Sequence, residues 1–500
     1  MTVVNDQRPR DLPEPGWQVL DRDLSRFSRL ETATSFVSQP LIALGLALVF
    51  VAIAAVAGGL ITSGGPGTLT VVIASAFAAY LALNIGANDV ANNMGPAVGS
   101  NALTMGGALA IAAVCETAGA LIAGGDVVDT IAKGIVTADS LADSNVFIIA
   151  MMAALLSSAV WLNLATWLGA PVSTTHAIVG GVAGSGIAAA GFSAVNWAGM
   201  SQIALSWVVS PMLGGALAAA TLALVHKLVI DRDDKIAAAR IWVPVFIGVM
   251  AWAFGTYLAL KGLKNLFDIS LLNSILIGFG CAILSWYAAR PYIMRLSQGL
   301  ENRNKSLKVL FQLPLVLSAA LMSFAHGAND VSNAIGPLAA IVSTIGNPAG
   351  DTAITVPLWV MIVGALGISV GLLLFGPRLI KMVGDQITKL NAMRAYCVAL
   401  SAAITVIAAS WLGLPVSSTH IAIGGIFGVG FFREGREARR MTQMNGEAVI
   451  QDISTDERKR RKLVRRSHFT TILAAWLITV PATALLSALL FYALNAIKTF

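Results

Sequence analysis

Long apolar runs separated by short polar ones occupy most of the 500 residues. They fall at 39–61, 70–90, 103–124, 146–169, 176–195, 199–229, 241–262, 268–289, 309–328, 355–380, 391–413, 419–432 and 469–497. A helix crosses the hydrocarbon core with about 20 apolar residues, so the pattern predicts an all-α polytopic membrane protein with about 12–13 transmembrane segments. The run 419–432 is too short and too Gly-rich for a plain span and predicts a broken or re-entrant segment. Ala55-Val56-Ala57 has the form of a signal cleavage site. The region before it is too long and too acidic for a signal peptide, and 39–61 is long enough to span.

Composition agrees with the pattern. With 56% hydrophobic and 12% charged residues and a mean hydropathy of +0.77, there are too few charges to clothe a soluble globule of this size. The net charge of +7 does not point to nucleic acid, because eleven of the 33 Lys and Arg lie between Arg433 and Arg466. One basic loop on the cytoplasmic side explains them. Cys115, Cys281 and Cys397 each sit in an apolar run without CxxC or Cys/His spacing, so no disulfide framework or metal cluster is expected. If Arg22, Arg26 and Arg29 hold the N-terminus in the cytoplasm, alternation puts the basic loops 227–240, 290–308, 378–394 and 433–466 there too. The loop 125–145, with Asp126, Asp129, Asp139 and Asp143 against Lys133 alone, then falls outside.

Two motifs repeat. Gly86-Ala-Asn-Asp-Val-Ala-Asn-Asn-Met-Gly-Pro96 recurs as Gly327-Ala-Asn-Asp-Val-Ser-Asn-Ala-Ile-Gly-Pro337, with eight of eleven positions identical. Trp167-Leu-Gly-Ala-Pro-Val-Ser-Thr-Thr-His176 recurs as Trp411-Leu-Gly-Leu-Pro-Val-Ser-Ser-Thr-His420. The chain is a duplication. The loop topology makes the copies inverted, since the helix entering the first motif runs toward the cytoplasm and the helix entering the second leaves it.

An Asp near the middle of an apolar helix costs about 2.5–3.5 kcal/mol on insertion scales, so Asp89 and Asp330 need an offsetting role. Gly86 and Gly327 are expected to let the backbone leave helical geometry, and Gly95-Pro96 and Gly336-Pro337 to reopen a helix. Asn88, Asn92, Asn329 and Asn333 add amides beside the two acids. Such oxygens suit a small hard cation such as Na+, or a carboxylate that takes a proton. Amides at a reopened helix start suit an oxyanion. Pro171 and Pro415 break or start helices, and Ser173, Thr174, Thr175, Ser417, Ser418 and Thr419 supply first-turn hydroxyls that either bind an oxyanion or cap the helix. His176 and His420 either relay protons or hold the broken segments. His326 precedes only the second copy, with Ile85 at the matching place, and Glu116 is a further intramembrane acid for coupling or pairing.

At these residues the sequence resembles the inorganic phosphate transporter (PiT) family, over residues 70 to 497. The resemblance implies symport of inorganic phosphate with Na+ or H+ across the cell membrane, with no cofactor. Asn88, Asp89, Asn92, Ser173, Thr174, Thr175 and their second-half counterparts would line the site. It implies a cytoplasmic tail (1–38), an added helix (39–61), a first repeat (70–229), linking helices (230–308) and a second repeat (309–497). The short loop 433–466 departs from members carrying a large central cytoplasmic domain. Sulfate is the rival anion; phosphate keeps a proton it can donate to an Asp or Asn oxygen, whereas sulfate only accepts. An intramembrane hydrolase or a passive channel are remoter readings. Gly-rich faces suit a homodimer.

Overall fold

The apolar runs become helices in the computed structural model, which describes residues 41–65, 67–136, 143–170, 172–262, 269–346, 356–386, 391–445 and 466–497. In chain order these are α1 (Leu41–Ile61), α2 (Thr68–Gly99), α3 (Met105–Ala123), α4 (Gly125–Lys133), α5 (Ser144–Leu168), α6 (Thr174–Ala190), α7 (Trp197–Val225), α8 (Lys235–Lys261) and α9 (Leu271–Leu296). Then follow α10 (Asn304–Leu310), α11 (Gln312–Gly346), α12 (Leu358–Gln386), α13 (Ala392–Trp411), α14 (Ser418–Asn445) and α15 (Arg466–Ile497). Among the described residues, ten helices are long and apolar enough to cross a membrane, or eleven if α10 and α11, bent by 47°, make one span. The sequence predicts 12–13. The difference lies chiefly in α6, which is only 17 residues long, and α14, whose second half carries the basic residues from Arg433 onward.

Three local expectations are corrected. The backbone does not unwind after Gly86 or Gly327: α2 and α11 run as unbroken helices through both motifs, with Pro96 and Pro337 inside them. The segment 419–432 is not broken but opens the 28-residue helix α14. Part of the loop 125–145 is helical, since α4 buries Val127, Val128, Ile131 and Ala132. Pro171, Asp139, the tail 1–38 and most of the loop beyond α14 (446–465) lie outside the described residues.

What breaks are the connections between α5 and α6 and between α13 and α14. Each is a helical hairpin. Gly169 (φ 71°) and Gly413 (φ 68°) end the first arms in the left-handed region, which a glycine adopts without strain. Ser173 and Ser417 cap the second arms, accepting from the amides of His176 (3.1 Å) and His420 (3.3 Å). Pro415 stands two residues before its cap rather than at the first helical position. Along the first hairpin the Ser158 hydroxyl donates to the Ala177 carbonyl at 3.1 Å, while Gly181 lies against Ser157. In the second, Gly425 lies against Ser401.

Residues 41–49, the start of α1, expose Leu41, Ile42, Leu44, Leu46, Leu48 and Val49. From Phe50 onward the chain forms one compact unit. Its glycines explain how the helices meet. A Cβ on Gly86 would strike the Ile368 backbone, and one on Gly327 the Glu116 backbone. Gly371 lies on the Leu83 carbonyl and Gly119 on that of Phe324. Each contact has a partner with the halves exchanged, the pattern of a two-fold relation. The hydroxyls of Thr117 and Ser369, which are equivalent positions, meet at 2.6 Å. The swap continues where α7 packs on α14 and α15 on α6: Gly424 lies on Pro211, and Gly180 on Val480. Outside the spans, the turn after α7 ties to α14 through Asp231 and Arg436, 2.6 Å apart. Partial burial pushes the Asp231 carboxyl up, but the guanidinium and His226 outweigh it and hold the carboxyl below the ordinary carboxylate range.

Candidate functional site

Because α2 stays helical, Asn88, Asp89 and Asn92 point in defined directions, and each does a different job. Asn88 reaches the tip of its own half's hairpin, donating to Thr166 Oγ1 (3.1 Å) and to the Ala170 carbonyl (3.4 Å). Asn329 repeats this in the second half, donating to Ser410 Oγ (2.9 Å) and the Leu414 carbonyl (3.2 Å) and accepting from the Val416 amide (3.3 Å). The first Asn of each motif therefore pins the neighbouring hairpin tip.

The Asp and the following Asn cross to the other half. Asp89 Oδ1 accepts from Thr419 (3.1 Å) and from Asn92 (3.3 Å), and Asn92 also donates to Thr419 at 2.8 Å. Asp330 Oδ2 accepts from Thr174 of the other half (3.2 Å) and from Ser418 of its own hairpin (3.4 Å). Asn333 donates to Thr174 (3.4 Å) and Thr175 (3.3 Å), and Thr175 donates to the Val416 carbonyl at 2.9 Å. Both acids are fully buried, with 0% relative exposure. Eight of the twelve motif residues predicted to line a site thus meet across the two halves, and Asn88 and Asn329 fix the hairpin tips beside them. Ser173 and Ser417 serve as helix caps.

His326, read from sequence as a coupling or structural candidate with an asymmetric role, sits at the centre. Its Nε2 lies 3.1 Å from Asp330 Oδ2 and 3.6 Å from Asp89 Oδ2, and its Nδ1 lies 3.3 Å from Glu116 Oε2. Glu116 is held in turn by Asn93, which donates to Oε1 at 2.8 Å. Asn93 is an addition to the residues read from sequence; its place four residues after Asp89 on one helical face was the available signal. The positions matching His326 and Glu116 in the other half are Ile85 and Ile368, so the Asp89–Asp330 pair is symmetric and the His326–Glu116 pair beside it is not. Ligand atoms of Asp89, His326 and Asp330 lie within 4.8 Å of one another. Asn88 Oδ1, Asp89 Oδ2, Asp330 Oδ1 and Asn333 Oδ1 are buried and accept no hydrogen bond.

His176 and His420 meet edge to face, ring centroids 4.5 Å apart, and His176 also lies against Trp207 at 3.8 Å. The Trp207 indole donates to the Pro415 carbonyl at 3.2 Å. This favours the holding role for the histidine pair. Trp207, on α7, lies outside both motifs, and no local sequence signal marks it.

The description of the phosphate transporter family matches residues 85–487. The chain belongs to this family. A putative phosphate permease of Helicobacter pylori is 42% identical over 96% of this chain and the whole of that protein. The chloroplastic inorganic phosphate transporter 2-1 of Arabidopsis thaliana is 35% identical over 85% of this chain and 72% of its own length. Among solved structures, one described as the sodium-dependent phosphate transporter superposes with a TM-score of 0.76 at 32% identity, covering 86% of this chain and 99% of that one. Members of the family are transporters rather than enzymes, and both motif pairs lie within the matched region.

Proposed function

We propose that this protein imports inorganic phosphate across the cell membrane by symport with a cation, binding both near the middle of the bilayer between its two halves. One observation carries the reading: two fully buried acids, one from each half, each accept from a threonine hydroxyl of the opposite hairpin. Around His326 stand three carboxyl groups, those of Asp89, Asp330 and Glu116. Even a protonated imidazole offsets only one of three charges, and unpaired charge in a low-dielectric interior is strongly unfavourable. A cation, or protons on the carboxyls, must balance the rest before an anion can join. Phosphate binding is thereby conditional on the ion, which is the requirement for coupling.

Na+ is the favoured ion. A similar solved structure is described as sodium-dependent, and the motif oxygens that accept no hydrogen bond suit a hard cation. The donors that suit an oxyanion are the Ser and Thr hydroxyls of the hairpins and the Asn amides of α2 and α11, which bring no charge. The carboxylate and Asn oxygens favour phosphate over sulfate, because only phosphate has a proton to give them. The alternation of the basic loops, taken with the two-fold contact pattern, supports halves of opposite orientation in the membrane, the arrangement that lets one site face each side in turn.

Uptake of labelled phosphate into proteoliposomes, under an imposed Na+ gradient or an imposed pH gradient, tests this. Accumulation driven by Na+, with weak competition from sulfate, is expected. Accumulation driven only by the pH gradient would make the proton the coupling ion, and efflux independent of both gradients would make the protein a channel.

A further inference from the structure

Beyond the tip of the first hairpin the two halves stop matching. Tyr80, Asn84 and Asn88 recur every fourth residue along α2 and so share one face. Asn163 of α5 donates to Asn84 Oδ1 at 3.3 Å, and Asn84 donates to the Tyr80 carbonyl at 2.8 Å. One turn along, Asn88 bonds Thr166 at 3.1 Å, next to Asp89. Polar side chains therefore lead from the acidic pair toward the N-terminal end of α2. In the second half the corresponding positions are Leu321, Ala325 and Ile407.

The comparison separates two roles. Where a hairpin tip is pinned, both halves are polar, with Asn88 and Thr166 in one and Asn329 and Ser410 in the other. One turn further out, only the first half is polar. Holding a hairpin against its helix does not require Asn84 or Asn163, because the second half has alanine and isoleucine there. Asn163 is also exposed, although it lies well inside a helix long and apolar enough to span. An exposed amide at that depth is unfavourable against lipid and is accommodated where a water-filled cavity faces it. An Asn side chain both donates and accepts without charge, so it can contact a phosphate in either ionisation state and still release it.

We propose that Asn84 and Asn163 form a neutral transit site for phosphate, one helical turn from the acidic pair, on the route between that pair and the membrane face at the N-terminal end of α2. The inference rests on the phosphate reading of Asp89 and Asp330. Asn163→Cys in the full-length protein in proteoliposomes, treated with an anionic, membrane-impermeant thiol reagent, should be modified, and saturating phosphate should slow the modification. Ile407→Cys should stay unmodified, and the unsubstituted protein sets the background from its own cysteines. The double variant Asn84→Ala with Asn163→Ile, carrying the second half's residues, should turn over phosphate about tenfold more slowly, the rate equivalent of about one lost hydrogen bond, with equilibrium binding little changed. Modification of Asn163→Cys only by a lipid-soluble maleimide would overturn the proposal, as would the absence of protection by phosphate or an equal loss of binding and turnover. Failure of the unsubstituted protein to bind phosphate would overturn the reading of the acidic pair, separately from the water-accessibility of Asn163.

Discussion

At the scale of single residues, the motif Gly-Ala-Asn-Asp-Val-x-Asn divides its labour. Asn88 and Asn329 fix the hairpin of their own half, whereas Asp89 and Asp330, with Asn92 and Asn333, reach the hairpin of the other. An interhelical hydrogen bond within a membrane is worth about 0.6 kcal/mol, against about 2.5–3.5 kcal/mol for inserting an Asp. Two hydroxyl bonds to Asp330 therefore do not justify the acid by themselves, and the proposed charge balance with a coupling ion would. Asp89→Asn and Asp330→Asn keep the side-chain shape and remove the charge. Each is expected to abolish ion-driven phosphate uptake in proteoliposomes while the protein still purifies as a folded species. Near-normal uptake by both variants would remove these residues from the coupling site.

At the scale of elements, the glycines of the motifs serve close approach rather than backbone freedom. α2 and α11 remain helical through Gly86 and Gly327 because the neighbouring helices α12 and α3 come to within backbone contact there, which a Cβ would forbid. Gly327→Ala is expected to lower stability in detergent by about 1–3 kcal/mol, the usual penalty for overfilling a packed interface. Gly280→Ala on α9, where an added Cβ meets nothing within 4 Å, is the control and should be neutral or slightly stabilising. A thermal unfolding curve of the two variants, read beside the unsubstituted protein, checks the difference. The sequence predicts breaks at these glycines because a Gly within a polar motif in an apolar run signals an interruption. Whether it interrupts the helix or admits a neighbour depends on what lies across from it.

For the whole molecule, the two halves exchange partners where their long helices pack. α3 lies on α11 as α12 lies on α2, α7 on α14 as α15 on α6, and Thr117 meets its own counterpart Ser369. Taken with the basic loops, this predicts that the α7–α8 turn and the α9–α10 turn both face the cytoplasm. Single cysteines at Asp233 and Gln298, probed with an impermeant thiol reagent in whole cells and in inverted vesicles, should react only in the inverted vesicles. Reaction of either in whole cells would contradict the inverted arrangement.

The sequence by itself determined that the chain is a helical membrane protein, that it is a duplication, and which twelve polar motif residues are the candidates for a site. Hydropathy and repetition are local or self-referential, so they survive without coordinates. Only the tertiary structure decided that the motif helices are continuous and that the hairpins carry the breaks. It alone placed His326 with Glu116 and Asn93 on one side of an otherwise symmetric centre, and brought Trp207 to the hairpin tip. These depend on which helices face one another, and a polar side chain in a membrane takes its role from the partner it finds across that interface.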